Sequence, residues 1–367
     1  MKLKTCLTFS LLFILFSALS YGRPLVIGCT TGYQQSFYKK LKGTIGSIAV
    51  TMDLTRNKGI LSGSYYYDKI GFSLYLNGTI KSDGSFEMKE SNENGDVTGK
   101  FTGTFSSPQS IEGNWTNSEN KQKINFSLTQ TYTGVVSATF EEYYKQNCAV
   151  ANENKRNITA ETIWWDTACT SIKISLVKIK SADQASSDLI NQSIKYSIYN
   201  QDNTKYNSIL KYLDRVNEVT DGGGYNEEIS CWMETNDQNI LSIQISNVCM
   251  WFGAMHPLAS ITFYNFDSRT GRQIKLNELL LPGFKNTLDR IGEKKLFEKY
   301  GTEGWSFELG KFELSSNFSI TTGGLLFLFG QYEIGPYAMG TPTVLIAYKD
   351  INNLINPNGG LATFGNR

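Results

Sequence analysis

Between residues 36 and 132 apolar and polar positions alternate in short stretches, and one small pattern returns five times. Leu41-Lys42-Gly43-Thr44-Ile45, Leu61-Ser62-Gly63-Ser64-Tyr65, Leu76-Asn77-Gly78-Thr79-Ile80, Val97-Thr98-Gly99-Lys100-Phe101 and Ile111-Glu112-Gly113-Asn114-Trp115 each place apolar residues two positions to either side of a glycine. Gly43, Gly78 and Gly113 lie 35 residues apart and Gly63 and Gly99 lie 36 apart, which marks an internal repeat. Period-two alternation predicts strands, and the turn chemistry at Asn57-Lys58-Gly59, Ser82-Asp83-Gly84 and Asn94-Gly95-Asp96 makes them consecutive and antiparallel, about eight in all. A glycine at the same place in each strand permits the tight bend that curls a sheet. The alternative is bare backbone that admits a ligand. The pattern predicts an all-β N-terminal domain over 36–132, an up-and-down barrel or a curled meander.

Residues 133–170 read as a connector with alternating character, including Phe140-Glu141-Glu142-Tyr143-Tyr144 and the pair Trp164-Trp165. This stretch is not a Pro/Ser linker, so the two domains are expected to touch. The tryptophan pair suits a buried plug between them or, alternatively, a sugar platform.

From residue 171 the periodicity is mixed. Ile172, Ile174 and Leu176 alternate as a strand, a helix is expected around 189–198, and Tyr206, Ile209, Leu210, Leu213 and Val216 fall at helical spacing. Strands follow near 227–234, 239–248, 259–266 and 272–276, the last two flanking an Asp267-to-Gly271 turn. Phe284, Leu288, Ile291 and Leu296 predict another helix, and strands near 311–314, 318–321, 325–329 and 343–348 end the pattern. Helices outside a mainly antiparallel sheet define an α+β C-terminal domain over 171–356.

Composition sets the compartment. Residues 1–22 read as a signal peptide, with Lys2 and Lys4 before an apolar stretch from Leu7 to Leu19 and small residues at Ala18, Ser20 and Gly22. Val26-Ile27-Gly28-Cys29 has the look of a lipoprotein box, but Arg23 and Pro24 separate it from the apolar stretch. No later segment is apolar enough to span a bilayer. Loss of the two lysines takes the formal charge from +1 to about −1, which argues against electrostatic capture of nucleic acid or anionic lipid. Five cysteines remain after residue 22: Cys29, Cys148, Cys169, Cys231 and Cys249. Proximity in sequence favours Cys148 with Cys169 and Cys231 with Cys249 as structural staples, since no CxxC spacing points to redox chemistry or zinc.

Catalytic chemistry is sparse. His256 is the sole histidine, which excludes multi-histidine zinc and iron sites, and no GxSxG elbow accompanies it. No metal or cofactor is expected. Glu227, Glu228 and Asp267 are candidate carboxylates for glycan cleavage. Glu227 and Glu228, being adjacent on a strand, face opposite sides, and Asp267 suits a turn with Gly271. Trp251, Phe252, His256, Tyr332 and Tyr337 are the binding candidates. Pro336 and Gly340 mark a chain reversal that assigns Tyr337 to packing, with His256 as the surface contact.

The C-terminal half also carries a series of short motifs. Leu189-Ile190-Asn191-Gln192-Ser193-Ile194 and Leu241-Ser242-Ile243 precede Phe252-Gly253-Ala254-Met255-His256; Asn265 to Gly271 follows, and then Tyr332 to Tyr337 with Gly340. In order and spacing this series resembles the extracytoplasmic domain shared by lysozyme-sensing anti-sigma factors and the accessory region of peptidoglycan deacetylase C. Met255 lengthens the family's Gly-Gly-Ala-His segment here by one residue. The resemblance implies recognition at the cell envelope, with a lysozyme-like protein or a peptidoglycan or other glycan as partner. The chain is thus expected to be a secreted or periplasmic binding protein without catalysis. The alternatives are a cell-wall glycan hydrolase and an envelope inhibitor or structural protein.

Overall fold

A computed structural model of the chain describes residues 36–57, 59–150, 167–199, 206–218, 224–308, 310–362 and 364. The expected signal peptide, Cys29 and the Trp164-Trp165 pair lie outside the described residues. The N-terminal repeat forms eight strands: β1 (Phe37–Ile45), β2 (Ile48–Asn57), β3 (Ile60–Tyr67), β4 (Ser73–Ile80), β5 (Ser85–Ser91), β6 (Val97–Ser107), β7 (Ser110–Asn117) and β8 (Lys123–Gln130). Each pairs antiparallel with the next. Closure comes from β1 against β8, with Leu41 opposite Gln130 and Ile45 opposite Phe126, so an up-and-down barrel results and no edge is left open.

The repeated glycines explain how so small a barrel closes. A Cβ at Gly78 would lie 1.9 Å from the Glu87 carbonyl oxygen, one at Gly43 2.0 Å from that of Ser127, and one at Gly113 2.1 Å from that of Thr102. Any side chain at these positions would push neighbouring strands apart. Close approach of the neighbouring backbone is therefore the reason for glycine there. Leu41, Met52, Leu54, Leu61, Tyr65, Met88 and Phe101 fill the interior. One carboxylate joins them: buried Glu90 accepts hydrogen bonds from the Tyr65 hydroxyl, the Trp115 indole and the Thr98 hydroxyl, each at 2.6 Å. Desolvation and the Glu90 charge drive the Tyr65 phenol far above its ordinary range.

The segment read as a connector instead contributes a strand. β9 (Ser137–Val150) pairs antiparallel with β10 (Thr167–Lys180) along its whole length, and the expected Cys148–Cys169 disulfide joins directly opposed residues of this pair. Next come α1 (Gln184–Tyr199) and the short α2 (Ile209–Leu213). Asp183 caps α1 by accepting from the Ser186 amide at 2.8 Å, and Ile190, Ile194 and Ile198, four residues apart, form its buried stripe. The two helices carry the chain across the sheet, so that β11 (Tyr225–Asp237) runs parallel to β10. β12 (Ile240–Trp251), β13 (Leu258–Asp267) and the two-residue β14 (Arg272–Gln273) complete a sheet of order β14-β13-β12-β11-β10-β9. After α3 (Leu276–Leu279) and α4 (Lys285–Tyr300), a second sheet is built from β15 (Phe318–Ile320), β16 (Gly324–Leu328) and β17 (Thr343–Ala347).

Two expectations need correction. The strand predicted near 311–314 does not form; Phe312 enters the C-terminal core, and the Leu314 amide bonds to Asp289 of α4 instead of a neighbouring strand. Nor do Cys231 and Cys249 pair. In the β11–β12 register Cys231 faces Ile245 and Cys249 faces Glu227, an offset of four residues or roughly 13 Å along the strands, beyond the reach of a disulfide. Both thiols are free. Burial pushes the Cys231 thiol up to about 12 and that of Cys249 to about 11, the latter helped by Glu227.

As expected, the barrel and the C-terminal domain touch, and polar groups join them. Lys40, 1% exposed, gives a 2.8 Å ion pair with Asp53, which also accepts from the Tyr38 hydroxyl. Asn236 donates to Tyr38 at 3.0 Å and to the Val136 carbonyl at 2.8 Å, and it accepts from the Val136 amide at 2.9 Å. The Tyr66 hydroxyl donates to Asp237 at 2.6 Å, and the Thr322 hydroxyl donates to the Gly71 carbonyl at 2.6 Å. Buried polar groups satisfied from both sides fix one orientation more strictly than apolar contact would.

Candidate functional site

The β12–β13 hairpin supplies the first half of the site. Register between the two strands runs to Cys249 and Leu258, and the chain turns through Gly253, whose φ of 81° suits glycine. Met255 at the tip is 98% exposed, and Trp251, Phe252 and Leu258 are also exposed. One hairpin thus carries four apolar side chains that are at least partly presented to solvent.

The second half comes from the loop after β16. The Glu333 amide donates to the Gly330 carbonyl at 3.1 Å, closing a turn, while the Glu333 carboxylate accepts from the Gly330 amide at 2.6 Å. Gln331 accepts from the Ala259 amide at 3.0 Å, which fastens this turn to β13. Tyr332 then takes a φ of 65° while 56% exposed. A bulky residue in the left-handed region is strained, at a local cost on the order of 1–3 kcal/mol.

These two halves bring three of the expected residues together. The His256 and Tyr337 rings stack with centroids 3.7 Å apart, and the Tyr332 ring lies 5.7 Å from that of Tyr337. The Tyr337 hydroxyl donates to the Pro257 carbonyl at 2.9 Å. His256 Nδ1 lies 3.3 Å from the same oxygen and its Nε2 3.4 Å from the Tyr332 hydroxyl. With the proton on Nδ1, one neutral tautomer satisfies both contacts. Trp251 and Phe252 lean the other way. Trp251 packs on Tyr225 at 4.7 Å, and the Phe252 amide donates to the Gly224 carbonyl at 2.9 Å, with the Phe252 ring filling the space where Gly224 would carry a Cβ. The five candidates thus share one end of the domain but form two groups. Sequence reasoning missed Met255 and Leu258 as displayed apolar residues, and Gln331 and Glu333 as the props of Tyr332. The run Trp251-Phe252 followed by Gly253 and Met255 was the available signal.

The candidate carboxylates have structural employment. Buried Glu227 accepts from Tyr212 at 2.8 Å, Arg215 at 2.9 Å and Asn247 at 2.9 Å. Glu228, on the opposite face, pairs with Lys173 at 2.7 Å. Asp267 holds Arg269 through two bonds of 3.0 and 2.7 Å, and the guanidinium keeps its carboxyl below the usual range. The Gly271 amide donates back to the Asp267 carbonyl at 2.8 Å, closing the predicted turn. Among the described residues no three His, Cys, Asp or Glu side chains gather as a metal site, and no helix is long and apolar enough to cross a membrane.

A barrel followed by an α+β domain with an aromatic end is the class of protein that the geometry defines. Within it, residues 277–349 match the family model described as a protein of unknown function, DUF3298. That span runs from α3 to just past β17 and includes Tyr332 and Tyr337, but not His256. A solved member of the DUF3298 family from Bacteroides fragilis NCTC 9343 aligns at a TM-score of 0.50 and 18% identity, covering 65% of this chain and 100% of its own. A DUF3298 family protein from Pseudomonas aeruginosa PAO1 aligns at 0.45 and 16%, covering 60% and 95%. The likeness to the first is one of fold. No curated protein matches the sequence.

Proposed function

We propose that the protein is a secreted or periplasmic binding protein whose aromatic end recognises a folded protein of the cell envelope or its surroundings, lysozyme-like in kind, without catalysis. The observation that carries the reading is the exposed Tyr332, held in a strained conformation by Gln331 and Glu333 beside the His256–Tyr337 stack, with the fully exposed Met255 on the same hairpin as His256. Aromatic and methionine side chains of this sort supply the anchors of protein interfaces. A protein face suits the site better than a single sugar ring, because the His256 imidazole already covers one face of Tyr337. The resemblance to lysozyme-sensing anti-sigma factors and to the deacetylase accessory region supports the compartment and the partner class. Hydrolysis is disfavoured because Glu227 and Asp267 are each engaged by a guanidinium.

The test is biolayer interferometry of the immobilised protein against a c-type lysozyme and against soluble envelope proteins from its own host. Saturable binding that weakens about tenfold or more in Met255→Ser and Tyr332→Gly is expected. Failure of every protein ligand to bind, or binding indifferent to both substitutions, would rule the reading out.

A further inference from the structure

About six residues along β13 from the aromatic hairpin, roughly 20 Å away, α1 and β14 flank an open groove of about 590 Å³. Leu189, Gln192, Ser193 and Tyr196 of α1 form one wall, Tyr264 of β13 the floor and Gln273 of β14 the other wall. The volume falls within the range of small-ligand sites. The walls are fixed, because Gly271, with a φ of 70°, brings the chain so near α1 that a Cβ would lie 2.7 Å from the Ser186 carbonyl oxygen. Asp183 capping and the buried isoleucine stripe hold α1 from below.

The lining chemistry is specific. Among the described residues no Asp, Glu, Lys or Arg contributes to it. Instead it presents two amides and two tyrosine rings, the Ser193 and Ser197 hydroxyls donating to the Leu189 and Ile194 carbonyls, and Tyr196 is 55% exposed. The carboxamides of Gln192 and Gln273 have no hydrogen-bond partner among the described residues, so each retains its donors and its acceptor for a ligand. An anion would find no cation here, and an apolar chain would desolvate both amides without compensation. A ligand with an uncharged surface of alternating hydroxyls and C–H faces matches both the amides and the rings.

We infer that this groove binds a neutral oligosaccharide, with Gln192 and Gln273 bonding its hydroxyls and Tyr196 and Tyr264 packing against its ring faces. The site goes beyond the protein-binding end and stands independently of it. Isothermal titration of the full chain with N-acetylglucosamine tetramer, cellotetraose, maltotetraose and, as a charged comparison, tetragalacturonate tests it. At least one neutral tetrasaccharide should bind with a Kd of about 1 mM or tighter, ahead of tetragalacturonate. Tyr196→Ala and Gln192→Ala, both at exposed positions, should weaken that binding at least about tenfold with unchanged melting, while Tyr332→Gly should leave it intact. Absence of binding by all three neutral sugars, preference for the uronate, or binding that survives both groove substitutions would overturn the assignment. Loss of sugar binding in Tyr332→Gly would move the site to the aromatic end and equally refute the groove.

Discussion

The barrel and the aromatic end of the C-terminal domain use unusual backbone in opposite ways. In the barrel, Gly43, Gly78 and Gly113 stand where a neighbouring carbonyl leaves no room for a side chain, so glycine answers a packing demand. In the C-terminal domain, Tyr332 occupies a left-handed conformation that glycine would adopt without strain. The first arrangement yields a closed object with no exposed strand edge. The second displays an aromatic ring at a local energetic cost. On the proposed reading the first feature serves the fold and the second serves recognition, and substitutions should separate them.

The largest effect is expected where the regions join. Asp53→Ala would leave Lys40 buried without its counter-charge and take an acceptor from Tyr38, and chemical denaturation should report a loss of about 3–5 kcal/mol. A loss below about 1 kcal/mol would mean that the domains dock without this network. Next comes Gly78→Ala, whose new methyl would meet backbone of β5; about 3 kcal/mol of destabilisation is expected. Gly253→Ala, facing open space but with positive φ, should cost only about 1 kcal/mol. Equal effects from the two glycine substitutions would erase the contrast between packing and display.

That contrast also explains what was legible in the sequence. The barrel could be read because each of its strands pairs with the next and the glycine recurs at one place in the pattern. The parallel meeting of β10 and β11 could not be, since it depends on a crossover through α1 and α2. Residues 137–150 read as a connector despite their alternation, because their partner β10 lies beyond residues 151–166 and the pairing is not visible in the pattern. Cys231 and Cys249 looked like partners by proximity, but a hairpin pairs residues by register, and the register sets them four positions apart. His256, Tyr332 and Tyr337 were each visible as candidates. Their meeting was not, because more than seventy residues separate the hairpin from the loop that props it.

Smaller effects sharpen the picture within the aromatic end. Tyr337→Ala removes the 2.9 Å bond to Pro257 and the stacking surface for His256, and thermal melting should show a loss of about 1–2 kcal/mol. His256→Ala should stay within about 0.5 kcal/mol of the parent. The reverse order would make the histidine the scaffold and the tyrosine the contact.

A comparably small effect concerns Asp267. Its carboxyl is held below the unfolded value of about 3.9 chiefly by the Arg269 side chain, so the pair stabilises the fold above that value and ceases to do so as pH falls through the depressed folded value. Arg269→Gln should therefore cost under about 1 kcal/mol at pH 7, given the exposed guanidinium, and the difference from the parent should shrink below about pH 4. A difference that grows with acidity would contradict the assignment.

The division between scaffold and recognition surface is tested most directly by one substitution read two ways. Tyr332→Gly should melt at or slightly above the parent temperature, because it relieves the left-handed strain, while its affinity for the captured protein ligand falls about tenfold or more. A variant that melts well below the parent yet binds with undiminished affinity would show that Tyr332 serves the fold and not recognition.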